Sequence, residues 1–158
     1  MNFNFEKAIQ QGINASIDRE RNIEEINNLI SAANQAVLDS TYGKIGLAWR
    51  YKSYNTLGAL AHLSINLTDV NIEQISKQER VIYIKLESDP SKSHDLTLLI
   101  IQPDGFPCEM NVNGNKLIAH DIEALGEGLE SLLGSVFFGQ KVRNLLNESA
   151  KQKNEPNP

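Results

Sequence analysis

The stretch from Arg80 to Val112 leaves this chain few folds to choose from. Two strand-like runs, Val81–Glu87 and Leu96–Gln102, are followed by a turn at Pro103-Asp104-Gly105 and a third run, Phe106–Val112. In the first run Ile82, Ile84 and Leu86 share one face, the period-two signature of a half-buried strand. The second is apolar on both faces, since Leu96, Leu98 and Ile100 alternate with Leu99 and Ile101 around a single Thr97, which reads as a central strand covered on both sides. Pro103 presets the first turn position and Gly105 supplies any positive φ. Pro107 cannot donate a ladder hydrogen bond, so the third strand starts after it or lies at an edge. Cys108, Met110 and Val112 then point inward, and Asn113-Gly114 is a strong hairpin signal before a short return at Lys116–Ala119.

Upstream, Lys44–Tyr54 also alternates: Ile45, Leu47, Trp49 and Tyr51 against Lys44, Gly46, Arg50 and Lys52. A turn at Tyr54-Asn55-Thr56 and a second alternating run, Leu57–Leu67, complete an expected hairpin, although the Ala and Leu content of Leu57–Ala61 also suits a helix. Asp69–Gln78 is a polar connector.

Helices are expected at both ends. From about Asn4 to Asp39, Ile9, Ile13 and Ile17 recur every four residues, and Ile23, Ile26, Ile30, Ala33 and Val37 every three or four. The polar stretch Asp18–Asn22 separates the two stripes. A continuous helix of this length would reach about 50 Å, more than a domain of this size spans. Either part of it projects, with an apolar stripe in need of a partner, or it breaks and folds back onto the sheet. Asp121 can cap a helix carrying Ile122, Leu125, Leu129 and Leu132, in which Gly126 and Gly128 permit close approach of another backbone. Ser135 can cap a last helix that fades near Ala150, leaving 151–158 as a disordered tail. The expected fold is α+β: a meander-like antiparallel sheet of about five strands, with a long N-terminal helix and two C-terminal helices packed on it, in one domain over residues 1–150.

The chemistry-bearing residues form no known signature. His94-Asp95 and His120-Asp121 place a carboxylate beside an imidazole, but adjacent strand residues point to opposite faces and Asp121 has a capping role. His62 has no such neighbour. The single cysteine, Cys108, excludes an internal disulfide and reads as a buried small apolar residue in a chain from a reducing compartment. No zinc, calcium or phosphate-loop spacing occurs, so neither metal nor cofactor is expected. The net charge of −5 argues against bulk nucleic acid or an anionic membrane as partner. Lys44, Arg50 and Lys52 form a local basic strand face, with Trp49 and Tyr51 on the opposite one, where stacked bases could not reach both. No secretory signal or membrane-length apolar run is present, and a cytoplasmic location is the expectation.

These observations favour a non-enzymatic protein-binding or regulatory module of inhibitor, immunity, chaperone or adaptor type. Ile23, Ile26, Ile30 and Val37 are its candidate contact residues, including contact with a second copy. The alternatives are a small hydrolase-like enzyme using a histidine and a carboxylate, and nucleic-acid binding through Lys44, Arg50 and Lys52.

Overall fold

The computed structural model describes residues 1–52 and 77–154, with side chains described to Lys151. Helix α1 (Phe5–Ser40) is followed by strands β1 (Ile45–Tyr51), β2 (Gln78–Leu86), β3 (Ser93–Ile101), β4 (Cys108–Val112) and β5 (Asn115–Ala119), then helices α2 (Ile122–Leu133) and α3 (Val136–Asn154). The strands form one antiparallel meander in the order β1-β2-β3-β4-β5. The architecture is α+β, as the pattern of alternating runs between helical ends requires.

β1 takes β2 as its partner, with Leu47 opposite Ile84 and Trp49 opposite Ile82. The Leu57–Leu67 arm and His62 lie outside the described residues. On the edge of β1 away from β2 the Leu47 N–H donates to Asn34 Oδ1 of α1 at 2.8 Å, so a helix side chain satisfies a strand donor there. β2 begins at Gln78, three residues before its apolar run, because Gln78 and Arg80 hydrogen-bond each other on the inner face.

β2 and β3 slip register between Ile82 and Tyr83, leaving Leu96 as the extra residue of a bulge. The main-chain ladder from β3 to β4 is short, with Ile100 opposite Glu109 and Ile101 opposite Cys108. Thr97 extends it through its side chain. Its hydroxyl donates to Asn111 O at 2.9 Å and accepts from Asn111 N at 3.3 Å, which explains a buried threonine in an apolar run. Asn113 and Gly114, at φ 53° and 80°, make the two-residue turn to β5 that Asn-Gly favours.

The three described helices lie on one face of the sheet. Asn27 of α1 bonds Arg80 of β2; Gly128 of α2 packs against Met110 and Leu117; Glu148 of α3 approaches His94 of β3. The core between them holds Ile26, Ile30 and Val37 from α1, Ile45, Leu47, Ile82, Ile84, Leu86, Leu99, Ile101, Cys108 and Met110 from the sheet, and Leu125, Leu129, Leu132 and Leu145 from α2 and α3. The opposite face carries Arg50, Tyr83, Asp95, Glu109 and Lys116, and there Leu98 and Ile100 are half-buried rather than covered as β2 and β3 are on the helix side. A side chain at Gly128 would drive into Leu117 and Met110, so glycine there sets how closely α2 approaches β4 and β5.

α1 is a single helix of 36 residues, about 54 Å long, and it does not break at Asp18–Asn22. The Asn4 side chain caps it by accepting from Lys7 N at 2.9 Å. Arg21 turns back to Asp18 at 3.0 Å, not forward to Glu24 or Glu25. Tyr42 and Gly43, both at positive φ, turn the chain into β1, and the Thr41 hydroxyl bonds Val37 O and Ile45 N across that corner. α3 runs to Asn154, beyond the expected end near Ala150, because a helix already nucleated extends at little cost through its polar last turn.

Candidate interaction surface

Asn22 marks where α1 leaves the body of the molecule. Its Nδ2 donates to Asp104 O at 2.9 Å, in the Pro103-Asp104-Gly105 turn at the end of β3. Gly105 sits beneath it at φ 96°, and a Cβ there would collide with the Asn22 side chain. The turn needs glycine twice over, for its backbone angle and for the helix passing across it. From Phe5 to Asp18 every residue is exposed.

This outer half carries a row of large apolar side chains. Phe5, Ile9, Ile13 and Ile17 remain 70%, 64%, 50% and 58% exposed. Phe3, just ahead of the helix, stacks on Phe5 with ring centroids 5.6 Å apart. Scattered exposed apolar residues are ordinary, whereas these lie in a contiguous row along one helix face. The same helix therefore shows two fates for one residue type. Ile26 is fully buried against the sheet, while Ile13 stands in solvent.

The four residues expected to make contact lie on the other side of that boundary. Ile26, Ile30 and Val37 are buried in the chain's own core and Ile23 packs against it. Their apolar surface packs into that core, against β1 and α2. Among the described residues of α1, the stripe at spacing four, Ile9, Ile13 and Ile17, is the exposed one.

The basic residues do not gather into one patch. Arg50 Nη2 contacts both oxygens of Asp95, at 2.8 and 3.0 Å, and its guanidinium lies 4.8 Å from the Tyr83 ring centre. Lys44 precedes β1 and Lys52 follows it, about 26 Å apart along an extended strand. Trp49 and Tyr51 turn to the helix side, as the alternation predicts, where they meet edge to face at 5.1 Å.

His94 and Asp95 point to opposite faces of β3. Asp95 binds Arg50, and His94 Nε2 stands 3.9 Å from Glu148 Oε1, too far for a hydrogen bond. That nitrogen is buried without a partner. His120 is exposed, and the Asp121 beside it caps α2 by accepting from Ala124 N at 2.8 Å. Among the described residues no three His, Cys, Asp or Glu side chains gather as a metal site would need, and no helix is long and apolar enough to cross a membrane.

The buried cation Arg80, 2% exposed, leaves no mark in the sequence pattern. Its guanidinium lies 3.8 Å above the Trp49 ring and donates to Gln78 Oε1 and to Asn27 Oδ1. Burial lowers its pKa, while Tyr51 and Cys108 act the other way. The same burial pushes the Cys108 thiol up to about 12, and Sγ donates to Gly105 O at 3.1 Å. A thiol so placed is inert, since the thiolate is the reactive form. Arg80 is thus a structural clamp: it joins α1 to β2 and closes the end of the core beside Trp49.

No family model matches the chain, and neither the curated proteins nor the solved structures searched contain a match.

Proposed function

We propose that this chain is a non-enzymatic binding module that acts by protein–protein contact, with the outer half of α1 as its contact surface. One observation carries the reading: a continuous helix, anchored at Asn22, holds Phe5, Ile9, Ile13 and Ile17 in solvent on one face. An amphipathic helix of this kind docks through side chains at successive turns. Its tether to the sheet through Asn22, Asn27 and Asn34 keeps it preorganised, which lowers the ordering cost of association. Inhibitor, immunity, chaperone and adaptor roles all work through such a surface.

The test is site-specific photocrosslinking in the native host. A photoreactive residue replaces Ile13 in one strain and Gln11 in another. Two residues along the helix lies about 200° around it, so Gln11 reports the opposite side. The reading predicts a discrete adduct from position 13 that is missing from position 11. No adduct at position 13, or equal adducts at both, would refute it.

A further inference from the structure

We infer that the occupant of the outer half of α1 is a second copy of this chain, its helix crossing the first at about −50°, the angle at which two i±4 ridges interdigitate. This rests on the binding reading above and names the partner.

Three features of the helix carry it. The first is shape. Phe5, Ile9, Ile13 and Ile17 form an unbroken i±4 ridge, and the neighbouring i±4 row is Ala8, Gly12 and Ser16, all small and all exposed. A large ridge beside a small-residue groove is complementary to itself, which a two-fold interface requires. The groove is deepest at Gly12, where an added Cβ would meet nothing within 4 Å. In the pair, Ile9 or Ile13 of one copy enters the notch at Gly12 of the other. The strict spacing of four, without the alternating three-four of a heptad, selects the crossed pair over a parallel coiled coil.

The second feature is charge. The whole chain carries −5, so two copies repel overall. Between Phe5 and Ile17 the only charged residues are Glu6 and Lys7, which cancel. The remaining polar flanks are Gln10, Gln11 and Asn14, which are neutral. The surface repels no copy of itself and has no charge pattern to select an acidic or basic partner.

The third is area. At their observed exposures the four ridge side chains offer roughly 500 Å² per copy, against roughly 800 Å² per partner in a standard interface. Ala8, Gly12 and Phe3 bring the total towards that figure. An interface of this size makes a concentration-dependent pair, not an obligate dimer with a large dry interface.

Sedimentation equilibrium of the full chain over a wide concentration range tests this. The wild type should pass from single-chain to double-chain mass. Gly12→Leu should weaken pairing by about tenfold or more, because it fills the notch although it adds apolar surface and favours the helix. Ile13→Asp should abolish pairing. Both sites lie in solvent, so far-ultraviolet circular dichroism should stay unchanged. A wild type that remains at single-chain mass throughout overturns the inference. So does a Gly12→Leu variant that pairs as tightly as the wild type, since mere apolar adhesion would do that. The crosslink at position 13 separates the two levels. A monomer with a heterologous adduct removes the second copy and keeps the binding surface, and a chain with neither removes both.

Discussion

Ile13 and Ile26 sit on one helix, thirteen residues apart, and replacing each with alanine should give very different results. Ile26 is fully buried between α1 and the sheet. Ile26→Ala removes three carbons from the core, worth about 2.4 kcal/mol at about 0.8 kcal/mol each. The surrounding strands are held by their ladders and cannot collapse fully into the void, so a cavity term raises the loss to about 3–4 kcal/mol. Ile13 is half exposed on the outer half of the helix. Ile13→Ala removes little buried area and gains slightly in helix propensity, so its effect stays within about 0.5 kcal/mol. Urea melts at low protein concentration, followed by fluorescence of the single tryptophan Trp49, measure both. Low concentration keeps any pairing of the outer helix out of the comparison. Equal losses for the two variants, or an Ile26→Ala loss below about 1 kcal/mol, would refute the division of α1 into a buried and a free half.

Other outcomes follow from the core and its edges. The Cys108 thiol is held at about 12 in the folded chain, against 9.0 for the ordinary group. The folded state keeps a proton that the unfolded chain loses, so this group's contribution is complete below pH 9 and declines as pH rises towards 12, by at most about 1.4 kcal/mol per pH unit. Melts of wild type and Cys108→Ala across that range should converge as pH rises, and parallel curves would contradict it. Asn34→Ala should cost about 1–3 kcal/mol, because the part-buried Leu47 N–H loses its acceptor; thermal melts and faster amide exchange at Leu47 report it, and unchanged exchange there would count against the contact. Gly128→Ala should destabilise by about 1–2 kcal/mol despite alanine's better helix propensity, as Leu117 and Met110 must move aside. A stabilised variant would show that α2 packs less closely than described.

The sheet was legible because each strand's pattern has a local cause. The alternation in Val81–Leu86, the Pro103–Gly105 turn and the Asn113-Gly114 hairpin are set by residues within a few positions of one another. Helix α1 was legible as a helix but not as a helix with two environments. Ile9, Ile13 and Ile17 carry the same helical spacing as Ile26 and Ile30. What separates them is where the sheet ends, at the Pro103–Gly105 turn, more than 80 residues away along the chain. The candidate contact residues Ile23, Ile26, Ile30 and Val37 therefore turned out to lie on the stripe that faces the chain's own core, and a long helix with a projecting part was one of the two expected outcomes. Arg80 was invisible for a similar reason. An arginine before an apolar run normally flanks a strand, and only the tertiary meeting of Asn27, Gln78 and Trp49 makes its burial tolerable. The separation of His94 from Asp95, by contrast, follows from strand geometry alone.

Hydrogen exchange along α1, measured as protein concentration rises, bears most directly on the central claim. The inner half, Ile23–Val37, should be strongly protected at every concentration. The outer half, Phe5–Ile17, should exchange faster than the inner half when dilute, because a solvent-exposed helix opens more often, and should gain protection as the chains pair, with Gly12→Leu shifting that gain to higher concentration. Equal protection of the two halves in dilute solution would contradict the free outer helix, and an outer half that stays unprotected at the highest concentration would contradict its role as the surface where copies meet.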